Sequence, residues 1–257
     1  MPVPPQTKPE YLRQLVVEKN TAFRPITAEE KALGFLGWHE RGYLPHCDYP
    51  GLVQFVTFRL ADSMPVSRRG EWEHLLKVEG DREKRTKLEE YLDLGHGECH
   101  LRDRKIAKIV EDAMLHFHNE RYELLAWCVM PNHVHVLVNV WCLPLDEMIQ
   151  SWKRFSATRA LKLLRTERRS PNRREKSAPD HTPNRSSALP SFWQREYWDT
   201  FMRDEEQKRK AVPYIENNPL KAGLCRVDKE WLFSSARFRD EFQRLVIPAG
   251  APISESA

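Results

Sequence analysis

Valine occupies every second position from 134 to 140. In the string Cys128–Val140, CVMPNHVHVLVNV, Val134, Val136, Val138 and Val140 alternate with His133, His135, Leu137 and Asn139. A period of two places the valines on one face of a β-strand and the other four residues on the opposite face. The pattern predicts a strand over His133–Val140. Pro131-Asn132 predicts a tight reversal pairing it antiparallel with a strand over Glu123–Met130. Leu52–Leu60, LVQFVTFRL, is a third β-branched and aromatic run, introduced by Pro50-Gly51. Two stretches carry the helical period instead. Ile106, Ile109, Val110, Ala113, Met114 and Phe117 line one face of Arg104–Asn119, and Met148, Ile149, Trp152, Phe155 and Leu163 line one face of Leu145–Leu164. The aromatic run Phe192–Met202 supplies a short strand, and Asp204 with Gln207 three residues later opens a further helix. The order strand, helix, strand, strand, helix, strand, helix predicts an α+β fold: a ferredoxin-like antiparallel sheet with helices packed on one face.

The pattern is interrupted in four places, which divide the chain. Residues 1–50 are proline-rich and form an N-terminal extension with a short helical candidate around Tyr11–Lys19. Residues 51–240 form the core domain, and 241–257 a C-terminal tail. Within the core, residues 69–100 are heavily charged, with Trp72, Leu75, Leu76, Leu88 and Tyr91 as apolar positions, and are expected to form a helical insertion on the surface. Residues 165–190 are rich in Pro, Ser, Asn and Arg and are expected to form a mobile basic loop, because that composition buries too little apolar surface to order itself.

Composition narrows the function classes. No run approaches the roughly 18 apolar residues of a membrane span, and the first ten residues lack a signal-peptide core, so a cytoplasmic protein is expected. Five cysteines without a Cys-x-x-Cys pair argue against a disulfide framework or a cysteine zinc site. With 41 basic and 37 acidic residues the net charge is only +4, so any nucleic-acid surface must be local.

The histidines are the first candidate chemistry. His133 and His135 share a strand face, and two imidazoles so spaced can converge on one divalent ion. Two histidines on a solvent-facing strand would show the same spacing. The second candidate is Ala211–Gly223, AVPYIENNPLKAG. If the helix opened by Asp204 continues through it, Tyr214 and Asn218 lie one turn apart. Asn218 then offers an amide oxygen as a third ligand, and Tyr214 a phenol able to attack a phosphodiester. Packing of Tyr214 on the sheet and helix termination at Asn218 account for the same residues. Pro213 removes a backbone donor within that helix, and Pro219 biases Asn218 away from helical geometry. Lys153 and Arg154 lie off the apolar stripe of the second helix and are candidate DNA contacts.

Together the strings WCVMPNHVHVLV, SWKRFSA, WQREYWDTFMRDEE and YIENNPLKAGL resemble the REP-associated tyrosine transposases, which are single-tyrosine HUH transposases. The resemblance implies a ferredoxin-like catalytic core spanning 51–240 that cleaves and rejoins single-stranded DNA at palindromic hairpin elements through a 5′-phosphotyrosine intermediate. It assigns Tyr214 as nucleophile and His133, His135 and Asn218 as ligands of Mg2+ or Mn2+. It likens Lys153 and Arg154 to a DNA-contacting segment. Single-stranded DNA hairpins are then the expected partner, with no small-molecule cofactor and no membrane, and a monomer is favoured over a homodimer. Two other readings stay open from the residues themselves: a metal-dependent phosphoesterase using activated water, and a hairpin-binding protein without cleavage.

Overall fold

The computed structural model describes residues 24–40, 45–65, 67, 70, 81–169 and 191–248. The helical candidate Tyr11–Lys19, residues 170–190 of the basic loop and the end of the C-terminal tail lie outside the described residues. The elements run, in chain order, α1 (Ala28–Ala32), β1 (Gly37–Glu40), β2 (Pro45–Asp48), β3 (Val53–Arg59), α2 (Asp81–Asp93), α3 (Arg104–Leu115), β4 (Tyr122–Val129), β5 (His133–Val140), α4 (Leu145–Arg169), β6 (Trp198–Phe201), α5 (Glu205–Glu216) and α6 (Asn218–Lys221).

Four strands form one antiparallel sheet in the order β4-β5-β3-β6. The β4–β5 hairpin turns at Pro131-Asn132, as the sequence requires, and inserts β5 between β4 and β3, so that β3 and β4 run parallel across it. The fold is therefore α+β, with two strand–helix–strand units split by a shared neighbour.

The valine face lies where alternation places it. Val134, Val136, Val138 and Val140 join Val56, Phe58 and Leu124 beneath Ile106, Val110 and Met114 of α3 and Met148, Ile149 and Trp152 of α4, all in one buried cluster. Polar groups in this layer are paired: the Tyr122 hydroxyl donates to the Met114 carbonyl at 2.7 Å and accepts from Trp152 Nε1 at 2.9 Å. A bulge in β4 between Leu124 and Ala126 adds one residue, so that Leu125 and Ala126 both turn to the opposite face. The Leu125 carbonyl, displaced from the ladder, accepts from Arg239 Nη2 at 2.6 Å.

Three features depart from the sequence expectation or add to it. The two long helices pack together on the valine face as expected, but α5 crosses the other face, where Ile215 packs with Val53, Phe55, Ala126, Cys128 and Leu137. Helix α4 runs to Arg169, five residues past Leu164 and into the predicted loop, because Arg165–Arg169 contains good helix formers and no Pro or Gly. The extension is not a separate appendage over its described part. Phe35 is fully buried in the main cluster, and the β1–β2 hairpin docks on β6 through the buried His46–Asp199 pair. Among the described residues no helix is long and apolar enough to cross a membrane.

Candidate metal and nucleophile site

The alternation that places the valines under α3 and α4 places His133 and His135 on the other face, and both rings are fully buried there. Their Nε2 atoms lie 3.0 Å apart. Each Nδ1 is held from behind. The Asn132 amide nitrogen donates to the carbonyls of Leu92 and His96 at 3.2 and 3.1 Å. That orients its oxygen toward His133, which it meets at Nδ1 at 2.7 Å. The Nδ1 proton of His133 therefore points at Asn132, and its Nε2 carries the lone pair. His135 Nδ1 pairs with the hydroxyl of Thr57, its cross-strand partner, at 2.8 Å, and Phe55 stacks on the ring. Burial, and after it the second imidazole, hold His133 well below the usual histidine pKa and therefore neutral, the form that ligates metals.

Tyr214 reaches the site from α5. Its ring centroid is 6.5 Å from that of His135 and 6.0 Å from that of Phe55. Its hydroxyl donates to Glu89 Oε2, and the Lys221 ammonium stands 4.1 Å from its ring centroid. Pro213 does not end the helix. Helix α5 continues through it to Glu216, the carbonyl of Pro213 accepting from the Asn217 amide at 2.9 Å. The break comes at Asn217, and Asn218 opens the separate short helix α6 ahead of Pro219. The unbroken helix that would set Asn218 one turn above Tyr214 is thus corrected to two helices: Pro219 has no N–H to donate to the Ile215 carbonyl and sits in the first turn of α6. Asn218 is buried, and its side chain makes no hydrogen bond to either histidine.

Lys153 and Arg154 are placed differently from each other. Arg154 is exposed on α4. The Lys153 ammonium turns inward and donates to the carbonyls of Gln194, Arg195 and Glu196 at 3.0, 3.1 and 3.3 Å, so it anchors the segment that leads into β6. A shallow cleft lies beside this segment, and its walls include Thr57, Arg59, Leu88, Leu92, Glu196 and Tyr197.

The contribution of α2 is absent from the sequence expectation. This helix belongs to the charged insertion, yet Leu88 and Leu92 are buried, and Glu89 and Asp93, one turn apart, both face the site. Asp93 Oδ1 lies 3.9 Å from His133 Nε2. Burial pushes the Asp93 carboxyl up to about 6, with the charge of Glu89 adding to the shift. The available signal is the spacing: Leu88 and Leu92, each followed directly by an acid, Glu89 and Asp93, describe a helix with one apolar edge beside one acidic edge. Among the described residues no cluster of three or more His, Cys, Asp or Glu side chains stands preformed as a metal cage.

Two curated proteins are similar to part of this chain. A putative REP-associated tyrosine transposase of Haemophilus influenzae is 27% identical over 115 residues, covering 44% of this chain and 58% of the relative. A REP-associated tyrosine transposase of Escherichia coli is 26% identical over 116 residues, covering 44% and 54%. Over that segment this chain is similar to REP-associated tyrosine transposases. The matched segment spans little more than half the length of either relative. No protein-family model matches the chain. A solved structure of a REP-associated tyrosine transposase bound to a REP hairpin aligns over 86% of this chain and 92% of its own at 18% identity, with a TM-score of 0.40.

Proposed function

We propose that this protein cleaves single-stranded DNA at hairpin-forming elements and transfers the strand through a phosphotyrosine linked to Tyr214. The observation that carries this reading is the meeting of two buried, oriented imidazole Nε2 atoms 3.0 Å apart with a phenol whose hydroxyl is held by a carboxylate. The similarity to REP-associated tyrosine transposases supports DNA as the substrate class, and a palindromic hairpin is the form that the family resemblance implies.

The residues fit a divalent ion. Two nitrogen ligands side by side in one coordination shell, each at about 2.1 Å, stand about 3 Å apart, which matches the histidine pair. Asn132 and Thr57 fill the role of the outer groups that fix ligand orientation. His133 and His135 would hold Mg2+ or Mn2+, with Asn218 the further ligand that the family resemblance suggests. When bound, the ion supplies Lewis-acid polarisation of the scissile phosphate.

The chain's own groups do the rest. Glu89 orients the Tyr214 hydroxyl and takes its proton as the phenolic oxygen attacks phosphorus. A P–O bond forms to tyrosine, and the bond to the 3′-oxygen of the preceding nucleotide breaks. The products are a 5′-phosphotyrosine and a 3′-hydroxyl once that oxygen takes a proton. Attack by a 3′-hydroxyl then reverses the sequence and joins strands. Lys221, beside the Tyr214 ring, adds positive charge where the phosphate must approach. Lys153 holds the wall of the adjoining cleft, and Arg154 is positioned on the surface for backbone phosphates.

The experiment is covalent capture: the protein is mixed with Mg2+ or Mn2+ and single-stranded hairpins drawn from DNA flanking its own gene, then run on a denaturing gel. A shifted protein–DNA adduct is expected, lost in Tyr214→Phe and in chelator. Cleavage that persists in Tyr214→Phe without an adduct would replace this mechanism with water-based hydrolysis. Hairpin binding without any cleavage would leave a DNA-binding protein.

A further inference from the structure

Helix α2 lies in the part of the chain that looks, from sequence, least connected to chemistry, and three contacts tie its C-terminal end to the metal-binding face. Asn132 donates to the carbonyls of Leu92 and His96, on either side of Asp93, so the same residue that orients His133 also fixes the end of α2. Leu88 and Leu92 are buried beneath it. Asp93 Oδ1 is shielded from solvent, has no hydrogen-bond partner and points at His133 Nε2 from 3.9 Å. A buried carboxylate oxygen without a donor is costly unless something positive meets it. The group it approaches is His133 Nε2, the ring nitrogen opposite the one that Asn132 engages and the one that faces His135.

We infer that Asp93 is a ligand of the divalent ion held by His133 and His135, so that the insertion helix completes the metal site. The inference rests on the metal reading of that histidine pair and not on the DNA reaction. A carboxylate explains three things that the two imidazoles leave open. It supplies the hard, anionic oxygen donor that Mg2+ and Mn2+ favour over an all-nitrogen set. It gives Asp93 Oδ1 a positive partner. It also accounts for Asn218, which the break at Asn217 assigns to a different helix from Tyr214. The gap of 3.9 Å exceeds the roughly 3 Å separation of neighbouring ligands by about an ångström, which a change of Asp93 side-chain torsion spans. Its neighbour one turn earlier, Glu89, holds Tyr214, so one helix face would serve both the ion and the nucleophile.

The test measures Mn2+ affinity in the full chain without DNA, by calorimetric titration and by loss of the free Mn2+ paramagnetic resonance signal. His135→Ala serves as the control that removes an imidazole, and circular dichroism checks folding. Asp93→Asn keeps the shape and removes the charged donor. It is expected to weaken Mn2+ binding about tenfold or more, while Glu90→Gln, on the exposed side of the same helix, stays within twofold of wild type. Asp93→Ser replaces it if the amide misfolds. An affinity for Asp93→Asn within twofold of wild type overturns the assignment, as does an equal loss in Glu90→Gln, which would make the effect one of general charge. No Mn2+ binding by wild type overturns the assignment and the metal reading together. A protein that binds Mn2+ through Asp93 yet forms no adduct with hairpin DNA would leave this inference standing and remove the proposed reaction.

Discussion

The two faces of β5 are equally buried and differ in everything else. On one, four valines meet α3 and α4 and themselves bring no polar side-chain group to satisfy. On the other, His133 and His135 are as inaccessible as the valines, but every ring nitrogen is engaged: by Asn132, by Thr57, and by the opposing ring. The valine face needs only shape and apolar area, which a period-two string provides by itself. The histidine face needs partners from β3, the 131–132 turn, α2 and α5, which are scattered along the chain. Burial thus marks the core on one side of the strand and a site on the other, and hydrogen bonding distinguishes them.

The largest test of this contrast exchanges the consequences of damage on each face. Val136→Asp buries a carboxylate among apolar groups with no donor, at a cost on the order of several kcal/mol, and urea titration should find the protein largely unfolded. His135→Ala should retain the native circular dichroism while covalent capture falls about 100-fold or more. If His135→Ala unfolds the chain as Val136→Asp does, the histidine face is ordinary core. A smaller effect is expected at Glu89. Glu89→Gln keeps a hydrogen-bond acceptor for the Tyr214 hydroxyl but is a far weaker base, so the single-turnover rate of adduct formation should fall about 100-fold while hairpin affinity is unchanged. An unchanged rate would reduce Glu89 to packing.

The smallest effect concerns a buried carboxylate at the edge of the apolar layer. Asp48 accepts from the Leu145 amide at the start of α4 at 3.3 Å. Burial, with the charges of Asp146 and Asp199 adding, pushes its pKa up to about 7 from 3.8, against the pull of its backbone hydrogen bonds. The folded state therefore holds this proton more tightly than the unfolded chain does. The contribution to stability is fully present below about pH 4 and is lost as pH rises through about 7. Denaturant titrations between pH 4 and 8 should show this component of the slope in wild type and not in Asp48→Asn. An identical slope in both proteins would locate the pH dependence elsewhere.

Much of the sheet is legible in the order of residues alone. The alternation over His133–Val140, the apolar run Leu52–Leu60 and the Pro131-Asn132 turn mark three adjacent strands to within a residue. The stripes of Ile106 and Met148 mark their two helices, because each pattern is local and its period is set by backbone geometry alone. The C-terminal end of α4 is not legible from periodicity, because Arg165–Arg169, though free of Pro and Gly, has no apolar position to mark a buried face and becomes helix by extending one already nucleated. The site is legible in part. His133 and His135 stand out by their shared strand face, and Tyr214 by its place in a motif. Glu89 and Asp93 are marked only by their spacing beside Leu88 and Leu92, which places them on one edge of a helix without separating a site residue from a solvated one.

By itself, the sequence determined which residues share a face of each element, and so that two histidines would turn away from the valines. It also marked the break after α5, since Pro219 has no N–H with which to continue that helix's hydrogen-bond ladder. Only the tertiary structure decided that α5 covers the histidine face, that α2 brings Glu89 to Tyr214 and Asp93 to His133, and that the Lys153 ammonium turns inward to three carbonyls. Periodicity comes from geometry repeated residue by residue. Encounters between α2, β5 and α5 depend on how separate surfaces dock, and no window of the chain contains them.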